Sequence, residues 1–328
     1  MLPAMTAPGN PHLPGSPESS TVRPPSGAGP THIADRLCEA IRRFGSPACV
    51  GLDPVLDRLP AAVRARHHDP VRAIHEFCMG VIDVVADVVP VLKPQSACFE
   101  RYGEAGVAAL RLLTRHAAAR GMVVILDAKR GDIGVTAEHY AAAAFGGGEA
   151  GRGDSGTGSH WLTVNGYMGP DTIEPFLGSA THGVFVLVRT SNPGSDVIQA
   201  RKVGGGPSAS ELVADMVAEL GRADGRRGLC GLSSVGAVVG ATKSSEAEGL
   251  RTRMPDQFFL VPGYGAQGGT LDDIRPCLRD DRDAGSAGVV VNASRSVIYA
   301  FKPDDEEWQG SVRAAGQRLV DELGSLFR

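Results

Sequence analysis

Excess charge of one sign, clustered cysteine and long apolar runs are all scarce in this chain. Lys and Arg total 33 against 37 Asp and Glu, a formal charge of −4. Such a balance provides no basic field of the kind that neutralises a nucleic-acid backbone. The most apolar stretch, residues 78–92, is interrupted by Asp83, Asp87 and Pro90, and it is shorter than the about 20 apolar residues a membrane-crossing helix needs. Neither nucleic acid nor membrane is therefore an expected partner. The six cysteines, at 38, 49, 78, 98, 230 and 277, form no CxxC pair and no cluster. That pattern excludes a disulfide framework or zinc finger and suits buried thiols in a reducing, cytoplasmic setting. The nine histidines include no HExxH, and neighbours His67 and His68 diverge on any regular element.

Proline and glycine, by contrast, are plentiful and unevenly spread. Residues 1–30 hold eight prolines and four glycines with almost no large apolar side chain, and are expected to be a disordered tail. They contain neither the basic start nor the apolar run of a secretory signal. Residues 146–159 hold seven glycines in fourteen positions and are expected to be a flexible insertion. Residues 201–208 form a second Gly-rich stretch, either a linker or part of a lid.

Between these stretches the chain alternates short apolar runs with longer helical patterns. The runs are 48–52, 88–92, 122–126, 161–164, 183–188, 235–240, 258–261 and 288–291. Helical spacing is expected over 71–85, 105–119, 136–144, 210–220, 271–278 and 311–326. Eight strand-then-helix units imply parallel strands, and eight closes an α/β (β/α)8 TIM barrel. An open doubly wound sheet is the alternative, but no GxGxxG turn comes after the first run. Residues 31–328 are thus expected to form a single barrel domain.

Reactive residues of such barrels gather at the C-terminal strand ends. The positions just past each run are unusually polar here: Asp53, Lys93, then Asp127, Lys129 and Asp132, then Asn165, Arg189-Thr190-Ser191, Thr242-Lys243, Tyr264 with Gln267, and Asn292 with Arg295. Asp127 and Lys129 stand two apart, so an extended strand would aim both into the barrel mouth. The pattern DxKxxD alone would arise by chance in roughly one chain of this length in fifteen. Its position at the end of a buried strand is what lifts it. Lys93 on the neighbouring strand completes two lysines alternating with two aspartates, an array that keeps each member charged. A rim ion-pair network without chemistry is the competing explanation. After the seventh and eighth runs, PGYGAQGG (262–269) and Arg295 suit a phosphate, whose oxygens accept from backbone N–H groups and a guanidinium.

GLDP (51–54), KPQSACFERYG (93–103), LDAKRGDIGVT (126–136), LTVNGYMG (162–169), VRTSNPGS (188–195), VPGYGAQGG (261–269) and NASRS (292–296) resemble, in order, the orotidine 5'-phosphate decarboxylase family in its longer bacterial branch. The resemblance covers nearly all of 31–328 and implies a carboxy-lyase making UMP, the last step of pyrimidine biosynthesis. It implies that Asp53 and Lys93 contact ribose hydroxyls, that Asp127 faces the leaving carboxylate, and that Lys129 delivers a proton to C6. Asp132 and Thr136 would reach the partner's site in a homodimer, Ser191 would bond the pyrimidine, and Gln267, Gly268 and Arg295 would hold the phosphate. Ser191 is chosen over Thr190 in a segment that varies between branches. Neither a metal nor an organic cofactor is implied. A Mg2+-dependent sugar-phosphate decarboxylase or aldolase on the same barrel is the enzymatic alternative, though those relatives carry an acidic residue where this chain has Lys93. A catalytically dead nucleotide-binding barrel is the non-enzymatic one.

Overall fold

The computed structural model describes residues 31–146, 156–265, 268–279 and 282–328. The expected tail (1–30), most of the expected insertion (147–155) and Gln267 lie outside the described residues. Eight parallel strands close into a barrel in sequence order: β1 (Ala48–Leu52), β2 (Val91–Pro94), β3 (Val123–Arg130), β4 (Trp161–Val164), β5 (Gly183–Arg189), β6 (Val235–Val239), β7 (Phe259–Pro262) and β8 (Val289–Ala293). β1 pairs with both β2 and β8, so no sheet edge remains. Around them lie α1 (Ile33–Phe44), α2 (Ala61–Arg66), α3 (Pro70–Val85), α4 (Ala97–Glu100), α5 (Gly103–Ala119), α6 (Gly134–Phe145), α7 (Ala209–Arg222), α8 (Ser244–Arg253), α9 (Leu271–Ile274), α10 (Arg295–Ile298) and α11 (Trp308–Gly324).

The expected barrel is therefore what forms, with shifts at several strand boundaries. The second run is displaced: Val88 and Val89 close the turn after α3 through hydrogen bonds to Val85, and Pro90 separates them from β2. The strand consequently ends on Lys93 and Pro94. The third strand runs past its apolar stretch to Arg130, so Asp127 and Lys129 lie within it. Asn292 likewise lies within β8, while Arg295 opens α10.

Strand side chains alternate between two cores. One face of each strand packs against the helices; there Phe77 of α3, ring-stacked with Tyr299 and 5.2 Å from Trp308 of α11, is fully buried. Each such large apolar side chain contributes about 1.5–3 kcal/mol. The other face fills the barrel with Cys49, Val91, Val123, Ile125, Trp161, Phe185, Val238, Phe258, Leu260 and Val290.

The N-terminal end of that inner core is plugged by α1, whose Ile33, Leu37 and Ile41 join the same cluster. The helix is tied across the loops that precede β5 and β6. Ile33 N–H donates to the Ala180 carbonyl at 2.8 Å, and Asp35 accepts from the backbone of Leu229 and Cys230 at 3.0 and 2.7 Å.

At the opposite end the inward-facing rows run out into polar residues. Residues 201–208, the stretch left open between linker and lid, form a tight turn closed by Val203 N–H on the Pro207 carbonyl. Ser208 then caps α7 in a reciprocal box with Glu211.

Candidate active site

The alternation that fills the barrel also builds the site. Continued two residues at a time, the inward rows reach Asp53 from Cys49 and Gly51, Lys93 and Gln95 from Val91, Asp127 from Ile125, Thr163 from Trp161, and Asn292 and Ser294 from Val290. Close approach of β1 to β8 requires the glycine at 51, where a Cβ would stand 1.9 Å from Ser294 Oγ. A cavity of about 310 Å³ opens there, lined by Asp53, Lys93, Gln95, Asp127, Lys129, Pro262, Gly263, Tyr264, Asn292, Ser294 and Arg295.

Asp127 is the hub. Its Oδ2 accepts from Lys93 Nζ at 2.6 Å, and its Oδ1 from Lys129 Nζ at 2.6 Å and Thr163 Oγ1 at 2.9 Å. The Gln95 amide, oriented to satisfy both groups, adds a bond to Oδ2 at 2.7 Å. Burial alone would raise the Asp127 carboxyl, but the Lys93 and Lys129 ammoniums hold it far below the usual carboxylate range. Burial likewise pulls on Lys93, yet attraction to Asp127 and Asp53 wins and raises its pKa. Asp53 sits on a loop fastened by Tyr299, whose hydroxyl donates to the Asp53 carbonyl at 3.1 Å and accepts from Val55 N–H at 2.7 Å. Its buried Oδ1 has no hydrogen-bond partner among the described residues.

Lys129 meets Asp127 by a route other than extended strand alternation. Its φ is 49°, the one positive value among described non-glycine residues, and the β3–β4 register slips between Leu126 and Arg130. The extended geometry expected for this pair is therefore replaced by a bulge that still delivers the ammonium to the carboxylate.

A closed parallel barrel with this polar mouth is matched over residues 46–308 by the family model described as orotidine 5'-phosphate decarboxylase / HUMPS. The chain belongs to that family. It is 43% identical over 306 residues to the orotidine 5'-phosphate decarboxylase of Rhodopirellula baltica, covering 89% of this chain and 98% of the relative. The enzyme of the same name from an Azoarcus species is 41% identical, covering 90% and 99%. Among solved structures, Leishmania donovani OMP decarboxylase superposes with a TM-score of 0.71 at 32% identity, over 90% of this chain and 99% of that one. The Leishmania donovani UMP synthase matches with a TM-score of 0.72 at 34% identity; it covers 91% of this chain and 57% of that one.

Of the residues expected at the site, Asp53, Lys93, Asp127, Lys129 and Arg295 line one cavity. Asp132, Thr136, Ser191 and Gly268 are not among its lining residues. Asp132 accepts from Ile133 N–H at 2.9 Å in the turn before α6, and Thr136 is exposed on that helix. Ser191 lies just past β5, where Thr242 Oγ1 contacts its carbonyl at 3.4 Å. Gly268, with φ 91°, adopts the left-handed backbone that a side chain would resist. Sequence reasoning missed Gln95 and Thr163. Inward parity counted from the strand's buried residues would have found both.

Proposed function

We propose that this chain decarboxylates orotidine 5'-phosphate to UMP, with Lys129 as the proton donor. The observation that carries the reading is the Lys93–Asp127–Lys129 ion-pair chain, closed at 2.6 Å on both sides in a barrel mouth that also holds Asp53 and Arg295. Loss of CO2 leaves a carbanion at C6 with no adjacent carbonyl to accept the electron pair. The Lys129 ammonium, already aimed by Asp127, stabilises that charge as it develops and then donates its proton to C6. Asp127 stands beside the leaving carboxylate and keeps Lys93 protonated. Asp53, with its unpaired Oδ1, and Lys93 take the ribose hydroxyls. Arg295, Gln267 and Gly268 hold the phosphate, whose binding energy positions C6 over Lys129. Ser191 bonds the pyrimidine edge.

The active unit in this proposal is a homodimer with shared sites. Ile133 and Val135 are 62% and 64% exposed beside Asp132 and Thr136, a surface suited to a second subunit. Residues 31–328 act as one catalytic domain, in the cytoplasm. Among the described residues no helix is long and apolar enough to cross a membrane.

The test is loss of orotidine 5'-phosphate absorbance with EDTA-treated protein. Rapid conversion to UMP is expected. No conversion by folded protein, with activity on a sugar phosphate restored by Mg2+, would overturn the proposal.

A further inference from the structure

We infer that Thr163 is a positioning residue for the proposed decarboxylation, fixing the Lys129 ammonium through the Lys129 backbone and the Asp127 carboxylate at once. Thr163 is next to last in β4 and 1% exposed. Its hydroxyl donates to Asp127 Oδ1 at 2.9 Å and accepts from Ala128 N–H at 3.0 Å and Lys129 N–H at 2.9 Å. A hydroxyl offers one donor and two acceptor lone pairs, and all three are used.

The placement answers a backbone problem. Register between β3 and β4 holds at Leu126–Leu162 and resumes only at Arg130–Val164. The intervening N–H groups of Ala128 and Lys129 would otherwise have no ladder partner in a part-buried place, which is costly. One side-chain oxygen satisfies both. In doing so it supports φ 49° at Lys129, a conformation a non-glycine residue keeps only when its surroundings impose it. The same oxygen orients the carboxylate to which Lys129 Nζ is bonded at 2.6 Å. Valine has the same shape but none of these bonds; serine keeps all three.

The experiment compares Thr163→Val and Thr163→Ser in steady-state decarboxylation, UMP binding, and the crystal structure of the valine variant. Thr163→Val is expected to lose about 10²-fold in kcat, as misplacement of a reacting group by about 1 Å does, with UMP affinity changed less than about threefold. Thr163→Ser is expected to stay within about fivefold of wild type, a rescue that a merely space-filling residue would not show. If Thr163→Val does not fold, Thr163→Cys, whose thiol bonds weakly, supplies the same contrast. Near-wild-type kcat in the valine variant, or a serine variant equally slow, would overturn the assignment. So would a valine-variant structure that retains positive φ at Lys129 with its ammonium on Asp127. That structural readout is independent of the substrate, so failure of the proposed reaction in wild type is separable from failure of this role.

Discussion

Removing the Asp127 carboxylate should expose how unequally its two lysines depend on it. Lys93 has a side chain 6% exposed, whereas that of Lys129 is 46% exposed. In Asp127→Ala the buried Lys93 ammonium loses its nearest counter-charge, a change that costs about 3–5 kcal/mol. Lys129 can turn to water, and a half-exposed pair is worth about 0.2–1 kcal/mol. Adding Lys93→Met to Asp127→Ala should return stability to within about 1 kcal/mol of wild type, because an apolar replacement removes the stranded charge. Adding Lys129→Met instead should recover no more than about 1 kcal/mol. Urea unfolding at fixed protein concentration and constant m-value measures each step. The alkaline limb provides a second check. In wild type the raised pKa of Lys93 means its stabilisation is whole below the ordinary lysine value, about 10.4, and is lost as pH rises through the folded value. Without Asp127, only Asp53 still opposes burial, so the folded value falls and that limb moves to lower pH. Equal rescue by Lys93→Met and Lys129→Met, or a cost for Asp127→Ala below about 1 kcal/mol, would refute the reasoning.

Lys129→Ala should fold and bind UMP while losing about 10²–10⁴-fold in kcat, the range of a positioned general acid; substantial remaining turnover in a stopped assay would remove it from the acid role. Mixing Lys129→Ala with Asp132→Ala should regain activity in purified heterodimers, because one of the two sites is then wild type at both positions. Absence of recovery there would mean that each site is built within one chain. Gly51→Ala forces a Cβ to 1.9 Å from Ser294 Oγ and 3.0 Å from Asn292 Oδ1. It should destabilise the protein by about 1–3 kcal/mol in urea unfolding.

The barrel was legible because each strand is a compact apolar run and eight such runs alternate with helical spacing. Lys93, Asp127 and Lys129 were legible because charged residues directly after buried runs have few other places to point. What escaped has physical reasons. Thr163 reads as an ordinary β-branched strand residue until the bulge at Lys129 leaves two N–H groups for it to satisfy. Gln95 lies beyond β2, and the pairing that turns it toward Asp127 depends on a strand boundary that Pro90 displaces. The α1 helix had no expectation although Ile33, Leu37 and Ile41 stand at helical spacing; that it plugs the barrel depends on partners as remote as Phe258 and Val290. Asp132 and Thr136 are not among the residues that line the cavity of their own chain, and the shared sites proposed above are what would give them a catalytic use.

The plug formed by α1 also bears on how the chain emerges from the ribosome. Asp35 holds the backbone of Leu229 and Cys230, 194 and 195 positions later. Contacts that distant form late, since loop closure must precede them. A nascent chain that ends before these residues therefore carries the apolar stripe of Ile33, Leu37 and Ile41 uncovered. Over that interval it is a sticky surface for holdase chaperones or for neighbouring nascent chains. Barrel closure, more than synthesis of any one strand, ends that exposure.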